Sequence, residues 1–152
     1  IEQKYPNVKL IVAHIGRAYC EEDLGNSLEI LASNTKNMLF DFSANTNSFV
    51  IEKCIKLFGS KRVLFGTDMP IARMRMYRIC ENGNYVNVVP RGMYGDVSSD
   101  PHMRETDEKN VTNFCYEILR AFKTASKNLS LTKNDIDNIM WKNASVLYGI
   151  NE

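Results

Sequence analysis

KLIVAH, at residues 9–14, is a run of four apolar side chains that begins after Lys9 and ends at His14. Its apolar residues do not alternate with polar ones, a pattern typical of a parallel strand that is covered on both faces. Two later runs have a similar character, MLFDF at residues 38–42 and RVLFG at residues 62–66. Amphipathic segments separate the three runs, so we predict alternating strands and helices and hence an α/β fold with a parallel sheet.

Apolar residues recur at helical spacing between and after these strands. The predicted helices lie at residues 21–33, 50–58, 111–122, 132–140 and 143–149. Capping residues support two of them, because residues 45–48 (Asn-Thr-Asn-Ser) and Thr132 are good N-cap types, and Gly59 is a good helix terminator. Residues 73–106 show no clear periodicity. We expect an irregular insertion there that acts as a lid or a partner surface, with a short strand at residues 85–89.

Composition excludes several classes of function. The chain has 152 residues, a formal net charge of +1 and 24% charged residues. This balance gives no electrostatic reason to expect nucleic acid or an anionic membrane as a partner. No apolar stretch approaches the roughly 18 residues of a transmembrane helix. The four cysteines form no Cys-x-x-Cys pair, so we expect reduced thiols and a cytoplasmic protein.

Polar side chains follow each predicted strand: His14 after the first, Ser43 and Asn45 after the second, Thr67 and Asp68 after the third. The carboxyl ends of parallel strands share one edge of a sheet, and active sites gather there. An imidazole and a carboxylate at that edge can bind a metal or transfer a proton. A histidine after a strand is also often structural, and an aspartate before a turn and a proline is often a helix cap.

Two other residues have weaker claims to a functional role. Arg17 can pair with a substrate carboxylate through its planar guanidinium, or else form an ion pair at the surface. His102 lies in the irregular segment, where a solvated loop position is the simpler interpretation. Asn45 is a candidate for substrate binding because it follows the second strand.

Three segments resemble motifs of the amidohydrolase superfamily. YPNVKLIVAHIG at residues 5–16 resembles the sixth-strand motif, and RVLFGTDMP at residues 62–70 resembles the eighth-strand motif. NASVLYGI at residues 143–150 resembles the C-terminal signature. They occur in family order, with a strand between the first two where the seventh belongs. The closest branch contains the amidohydrolase-2-type hydrolases and the aminocarboxymuconate-semialdehyde decarboxylase-like enzymes.

The resemblance implies a TIM-type (β/α)8 barrel with a divalent metal, zinc being favoured, at its C-terminal edge. By motif, Asp68 would be the eighth-strand aspartate, a metal ligand and general base. His14 would be the sixth-strand histidine, which polarises the substrate or the attacking water. The implied activity is hydrolysis or decarboxylation of a small carboxylated or cyclic substrate.

The departures from the family pattern concern the metal ligands. The chain has two histidines, and no counterpart of the first-strand ligand pair or the fifth-strand histidine. A barrel of this type needs about 250 residues. We therefore interpret residues 1–152 as one partial domain, the C-terminal portion with strands six to eight, which has little activity alone.

Two other interpretations stay open. One is a non-catalytic α/β domain that acts through self-association or a partner, because three strands of a barrel leave open edges, so we expect a homo-oligomer. The other is a flavodoxin-like domain, which the absence of a glycine-rich phosphate loop disfavours.

Overall fold

The computed structural model describes residues 2–150. Its first sheet contains β1 (Ile11–Val12), β2 (Leu39–Asp41) and β3 (Val63–Leu64). All three strands are parallel, with β2 in the centre. Each strand lies inside one of the three predicted apolar runs, so the predicted parallel sheet is confirmed, although the strands are shorter than the runs.

The helices follow the predicted pattern closely. They are α1 (Ser27–Asn34), α2 (Ser48–Phe58), α3 (Phe114–Asn128), α4 (Lys133–Asp137) and α5 (Asn143–Tyr148), and a π-helical turn at Asn138–Lys142 joins the last two. The Asn47 side chain accepts hydrogen bonds from the first turn of α2, and Thr132 forms a capping box with Asp135 at α4. None of the helices within residues 2–150 is long and apolar enough to cross a bilayer.

The helix predicted at residues 21–33 is shorter than expected. A 3-10 turn occupies Glu21–Asp23, and α1 begins only at Ser27. Gly25 lies between them with a φ of +47°, a left-handed conformation that interrupts a right-handed helix. The predicted helix therefore breaks into two pieces at this glycine.

The expectation of an irregular segment at residues 73–106 is wrong for a large part of it, although residues 91–102 contain no helix or strand. This part of the chain contains β4 (Tyr77–Glu81), β5 (Asn84–Pro90) and β6 (Met103–Thr106), which we call the inserted sheet. The hairpin between β4 and β5 turns at Asn82 and Gly83, both of which have positive φ. β6 joins β5 in parallel. The strand predicted at residues 85–89 is confirmed within β5.

The main core lies between the parallel sheet, α2 and α3. Phe40 and Phe42 of the β2 region are fully buried. The ring of Phe40 stacks on Phe58 of α2 at 3.9 Å between centroids, and that of Phe42 stacks on Phe122 of α3 at 5.1 Å. Burial of such aromatic side chains is the main source of stability in a fold of this size.

The last helical region is fastened to β3 through its backbone. The Phe65 N–H, just after β3, donates to the Ile139 carbonyl in the π-helical turn at 2.8 Å. The Asn143 side-chain amide donates to the carbonyls of Ser60 and Val63, both at 2.8 Å. Asn143, which opens the C-terminal signature, therefore has a structural role here.

The expectation of reduced thiols is wrong for two of the four cysteines. Cys20, after the first strand, forms a disulfide with Cys80 at the exposed end of β4. Sequence spacing gives no hint of the pair, because the partners are 60 residues apart and meet only when the inserted sheet folds against the parallel sheet. Cys54 and Cys115 are free thiols. The predicted cytoplasmic location depends on reduced thiols, so the disulfide removes its support.

Candidate functional site

The chain adopts a left-handed backbone after every strand of the parallel sheet. His14 follows β1 with a φ of 56°, Ala44 follows β2 with 51°, and Asp68 follows β3 with 59°. Each such non-glycine residue costs roughly 1–3 kcal/mol, and strain of this kind clusters at functional sites. The carboxyl end of the sheet, which we call the rim, is thus the strained region where the sequence places its candidate residues.

The strain is greatest around His14. Residues 14–17 all have positive φ and form a single turn of left-handed helix, although only Gly16 among them is a glycine. Left-handed turns of L-residues are unfavourable, so the surroundings must hold this one in place. The turn places His14 at its start and Arg17 at its end, both on the rim.

The His14 ring is oriented by Ser43. The imidazole Nδ1 lies 2.9 Å from the Ser43 carbonyl oxygen and 2.9 Å from the Ser43 hydroxyl. A carbonyl oxygen only accepts, so Nδ1 carries the proton and Nε2 has a free lone pair. A histidine held through Nδ1 in this way is ready to bind a metal or accept a proton at Nε2.

Asp41, the last residue of β2, holds both His14 and Ser43 in position through hydrogen bonds to its carboxylate. One of its carboxylate oxygens, Oδ1, accepts the backbone N–H of His14 at 3.0 Å and that of Ser43 at 3.0 Å. The same oxygen accepts the Ser43 hydroxyl. The Ser43 hydroxyl donates this hydrogen bond to Asp41, and the residue is buried. Ser43 therefore positions His14 and is not an exposed nucleophile.

The end of β3 packs tightly against this network. A Cβ atom added at Gly66 would lie 3.1 Å from the Ser43 Cβ. Such a contact is closer than ordinary packing allows, so only glycine lets the chain before Asp68 approach Ser43 without displacement.

Asp68 is half-buried on the rim, and its carboxylate has no hydrogen bond or ion pair within residues 2–150. Its backbone carbonyl accepts the Ala72 N–H at 3.2 Å, which holds the turn after β3. The structure therefore places Asp68 and His14 at the same end of the sheet, with no hydrogen bond between them.

Arg17 lies where the rim meets the inserted sheet. Its guanidinium donates to the Tyr85 hydroxyl at 3.5 Å and lies 5.8 Å from the ring centre of Tyr19. No acidic residue of the described chain forms an ion pair with Arg17. This arrangement leaves guanidinium N–H groups available to an external anion.

Asn45 is placed differently from its predicted role. It has no exposed surface. Its amide nitrogen donates to the Ala18 carbonyl at 2.7 Å, and its amide oxygen accepts the Asn47 N–H at 3.0 Å. Asn45 thus joins the loop after β1 to the loop after β2 and offers no surface to a substrate, which is a correction to its assignment as a substrate-binding residue.

Arg78 of β4 anchors the inserted sheet to the rim. Its guanidinium lies 4.0 Å from the ring centre of Tyr19 and 4.9 Å from that of Tyr85, and it donates to the Ala44 carbonyl. Burial lowers the pKa of the Arg78 guanidinium, and burial raises the pKa of the Tyr19 phenol. The Cys20–Cys80 disulfide adds a covalent link at the same junction.

The rim residues do not assemble a metal site by themselves. Within residues 2–150, no group of three or more His, Cys, Asp or Glu side chains is placed to hold a metal ion. A tight zinc site takes three or more protein ligands. The predicted metal ligand Asp68 therefore belongs to no group of three or more ligands among the described residues.

Sequence reasoning missed Asp41 and Arg78, and it named Ser43 only as a polar residue after the second strand, without a role. Asp41 carries a signal, since it is the one charged residue in the run at 38–42. Ser43 stands in a polar position after that run. Arg78 has no such signal in the sequence, because its role depends on the contact between the inserted sheet and Tyr19.

Comparison with known proteins adds one positive finding. A family model described as "Amidohydrolase" matches residues 1–150. No curated protein matches the chain. The match spans all three segments that resemble amidohydrolase motifs, including the residues on either side of the inserted sheet.

Proposed function

The chain belongs to the amidohydrolase family, and from that premise we propose that it carries half of the catalytic rim of a metal-dependent hydrolase. In this proposal, β1, β2 and β3 are strands six to eight of a (β/α)8 barrel, and residues 1–152 are its C-terminal portion. The substrate is a small carboxylated or cyclic compound. Decarboxylation, as in the aminocarboxymuconate-semialdehyde decarboxylase-like branch, is the alternative reaction at the same rim.

The orientation of His14 is the observation that carries the proposal. Its Nδ1 lies 2.9 Å from the Ser43 carbonyl, which leaves Nε2 as a hydrogen-bond acceptor in the neutral ring. In that state His14 accepts a proton from a water or polarises a substrate hydroxyl, and after protonation it donates the proton to a leaving group. The positioning by Asp41 and Ser43 supports this role, because catalytic side chains need a fixed geometry.

Asp68 is the second proton acceptor of the proposal. Its carboxylate has no partner within the described residues, so it is available to take a proton from an attacking water. The strained φ of 59° at Asp68 matches the strain at His14 and supports a functional position. Within residues 2–150 its carboxylate and the His14 imidazole are too few for a metal site, so metal binding by Asp68 requires ligands from outside these residues.

Arg17 would bind the acidic group of the substrate. Its guanidinium is exposed, is three residues from His14 and lacks an acidic partner in the described chain. A planar guanidinium binds carboxylates through two parallel hydrogen bonds. A carboxylate held by Arg17 would present the rest of a small molecule to His14.

The test compares Asp68→Asn with Asp96→Asn in the enzyme that contains this chain. Asp96 is an exposed aspartate in the inserted segment and serves as a matched control for the change of charge. We expect Asp68→Asn to lower turnover of lactones, amides and aryl carboxylates by at least about a hundredfold and to lower zinc content. Unchanged turnover and unchanged zinc in Asp68→Asn would contradict the proposal.

Self-association without catalysis is the second candidate, and the outer edge of β1 favours it. Within residues 2–150, β1 pairs only with β2, and Ile11 on this edge is exposed. An uncovered edge strand is a template for pairing with another chain. The partner in this proposal is a second copy of this chain. Light scattering that shows a monomer at micromolar concentration would contradict this candidate.

A further inference from the structure

The Cys20–Cys80 disulfide has one buried and one exposed end. Cys20 has no exposed surface, whereas Cys80, near the end of β4, is exposed. Cys80 also lines a pocket of about 240 Å³ between β4 and the start of α2. A thiol attacks the sulfur atom that it can reach, so the described chain leaves the Cys80 side of this bond open to a small molecule and closes the Cys20 side.

The disulfide restrains the chain just after the left-handed turn of the rim. This turn ends at Arg17, and Cys20 follows three residues later. The two residues between them are buried. A left-handed turn of L-residues is unfavourable, so both of its ends need to be held in place. Asp41 holds the start of the turn through the N–H of His14, and the disulfide is the covalent restraint beyond its end.

Noncovalent contacts hold the inserted sheet at the rim independently of the disulfide. Arg78 donates to a backbone carbonyl of the loop after β2 and lies 4.0 Å from the ring centre of Tyr19. A reduced Cys80 thiol would add a hydrogen bond, because its sulfur lies 3.4 Å from the Tyr19 carbonyl oxygen. The end of the turn has weaker support, since Arg17 reaches the Tyr85 hydroxyl at 3.5 Å, which is long for a hydrogen bond. Cleavage of the disulfide should therefore loosen the turn and leave the sheet in place.

We propose that Cys80 is the site where a small thiol such as glutathione enters the disulfide, and that cleavage of this bond releases the turn that carries His14. The thiolate of the incoming molecule attacks the Cys80 sulfur and forms a new disulfide with it. The bond to Cys20 breaks, and the Cys20 thiolate takes a proton from solvent. A second thiol attacks the mixed disulfide and frees Cys80, so that two external thiols are oxidised to one disulfide while the protein disulfide is reduced to two thiols.

This inference concerns regulation of the rim, and it rests on the proposed function only for its effect on turnover. The redox state of one cysteine pair would set whether His14 is held in its oriented position. The site of thiol entry and the response of the His14 ring are properties of this chain alone, and both can be measured without a substrate.

The first measurement compares two matched variants, Cys20→Ser and Cys80→Ser, during incubation with oxidised glutathione. Each variant keeps one thiol of the pair. We expect mixed disulfide to form on Cys80 at least about tenfold faster than on Cys20, because exchange requires access to the sulfur. Cys54 is the internal control: burial raises the pKa of its thiol to about 12, and it should carry no glutathione. Equal rates in the two variants, or a faster rate on Cys20, would overturn the proposed entry site.

The second measurement follows the imidazole signals of the unmodified chain before and after reduction with glutathione. The chain has two histidines, and His14→Asn assigns their signals. We expect reduction to shift or broaden the His14 signals. The His102 signals should stay in place, because the His102 ring stacks on the Tyr85 ring within the inserted sheet at 4.2 Å between centroids. Cys115→Ala, which lacks a free thiol outside the pair, should respond as the unmodified chain does.

Unchanged His14 signals would show that the disulfide does not control the rim. A change in both sets of signals would show that it holds the whole inserted sheet, which also contradicts the proposal. Asp68→Asn separates this inference from the proposed function. In the enzyme that contains this chain, the substitution should abolish turnover in both redox states, and in the chain itself it should leave the His14 response to reduction intact, so that either proposal can fail alone.

Discussion

Each end of the parallel sheet is held by a carboxylate that accepts backbone N–H groups, but the two carboxylates stand in different surroundings. At the carboxyl end, Asp41 binds the N–H groups of His14 and Ser43 inside a half-buried network. At the amino end, the half-buried Glu2 side chain accepts the N–H groups of Lys36, Asn37 and Met38 just before β2, and two of these three hydrogen bonds are exposed.

The two ends of the sheet also differ in backbone conformation, in covalent links and in surface shape. The carboxyl end has left-handed backbone after every strand and a disulfide to the inserted sheet. The amino end has a groove of about 960 Å³, lined by residues such as Leu39, Trp141 and Val146. The volume of this groove alone would suggest a ligand site at the amino end. The strain, the oriented imidazole and the Asp68 carboxylate, which has no partner within residues 2–150, support the carboxyl end as the place of the proposed chemistry.

Loss of the disulfide should have the largest effect on the carboxyl end. The Cys20–Cys80 bond closes a loop of 60 residues, so removing it with Cys20→Ala and Cys80→Ala together should lower the free energy of unfolding by about 4 kcal/mol. Denaturant titration measures this value. Cys115→Ala, which removes a free thiol, should change it little, and four titratable thiols in the unreduced protein would contradict the bond.

Replacement of Asp41 should have the next largest effect. Asp41→Ala leaves the N–H groups of His14 and Ser43 without their acceptor, so we expect a loss of about 3 kcal/mol in the free energy of unfolding. Asp96→Ala is a matched control, because Asp96 makes the same bond to a backbone N–H two residues later, to Ser98, on an exposed loop. An equal loss of unfolding free energy in both variants would show that the network around Asp41 stabilises the protein no more than an ordinary exposed turn does.

A smaller effect is expected at the contact between β3 and the network. Gly66→Ala places a methyl group 3.1 Å from the Ser43 Cβ, and the resulting displacement should cost about 1–2 kcal/mol. Ser43→Gly removes the opposing Cβ, so Gly66→Ala should cost less in that background. A double-mutant cycle measures this coupling, and strictly additive effects would show that the close approach is unimportant.

Much of the fold was predictable because local signals agree with it. Continuous apolar runs specify β1, β2 and β3, and Asn47 and Gly59 delimit α2 as their capping chemistry requires. The inserted sheet was missed because β4 and β6 are short and polar, although the pair Asn82–Gly83 is a strong hairpin signal. The break before α1 depends on one residue, Gly25, whose left-handed conformation no periodicity reveals.

The site was predictable only in outline. Strand-end position identifies His14 and Asp68, because the order of the strands follows from the sequence. The links between distant segments do not follow from it. Cys20 meets Cys80, and Arg17 meets Tyr85, only once the inserted sheet packs against the rim. Asn45 was wrongly predicted to bind substrate, because the amide of a polar residue after a strand can instead form all its hydrogen bonds with neighbouring backbone groups.

The smallest expected effect is at the amino end, where Glu2 is the counterpart of Asp41. Backbone N–H groups, that of Lys36 first and that of Asn37 next, hold the pKa of the Glu2 carboxyl below its usual value of 4.5. A group whose pKa is lowered by folding stabilises the fold above its ordinary pKa, and this contribution disappears as the pH falls through the lowered pKa. Glu2→Gln should therefore be slightly less stable than the unmodified chain at pH 7. The difference should vanish in strong acid, because both side chains are then neutral. Denaturant titrations across this pH range test the prediction. A difference that persists in acid would mean that Glu2 acts by packing, and the two ends of the sheet would then differ in kind as well as in surroundings.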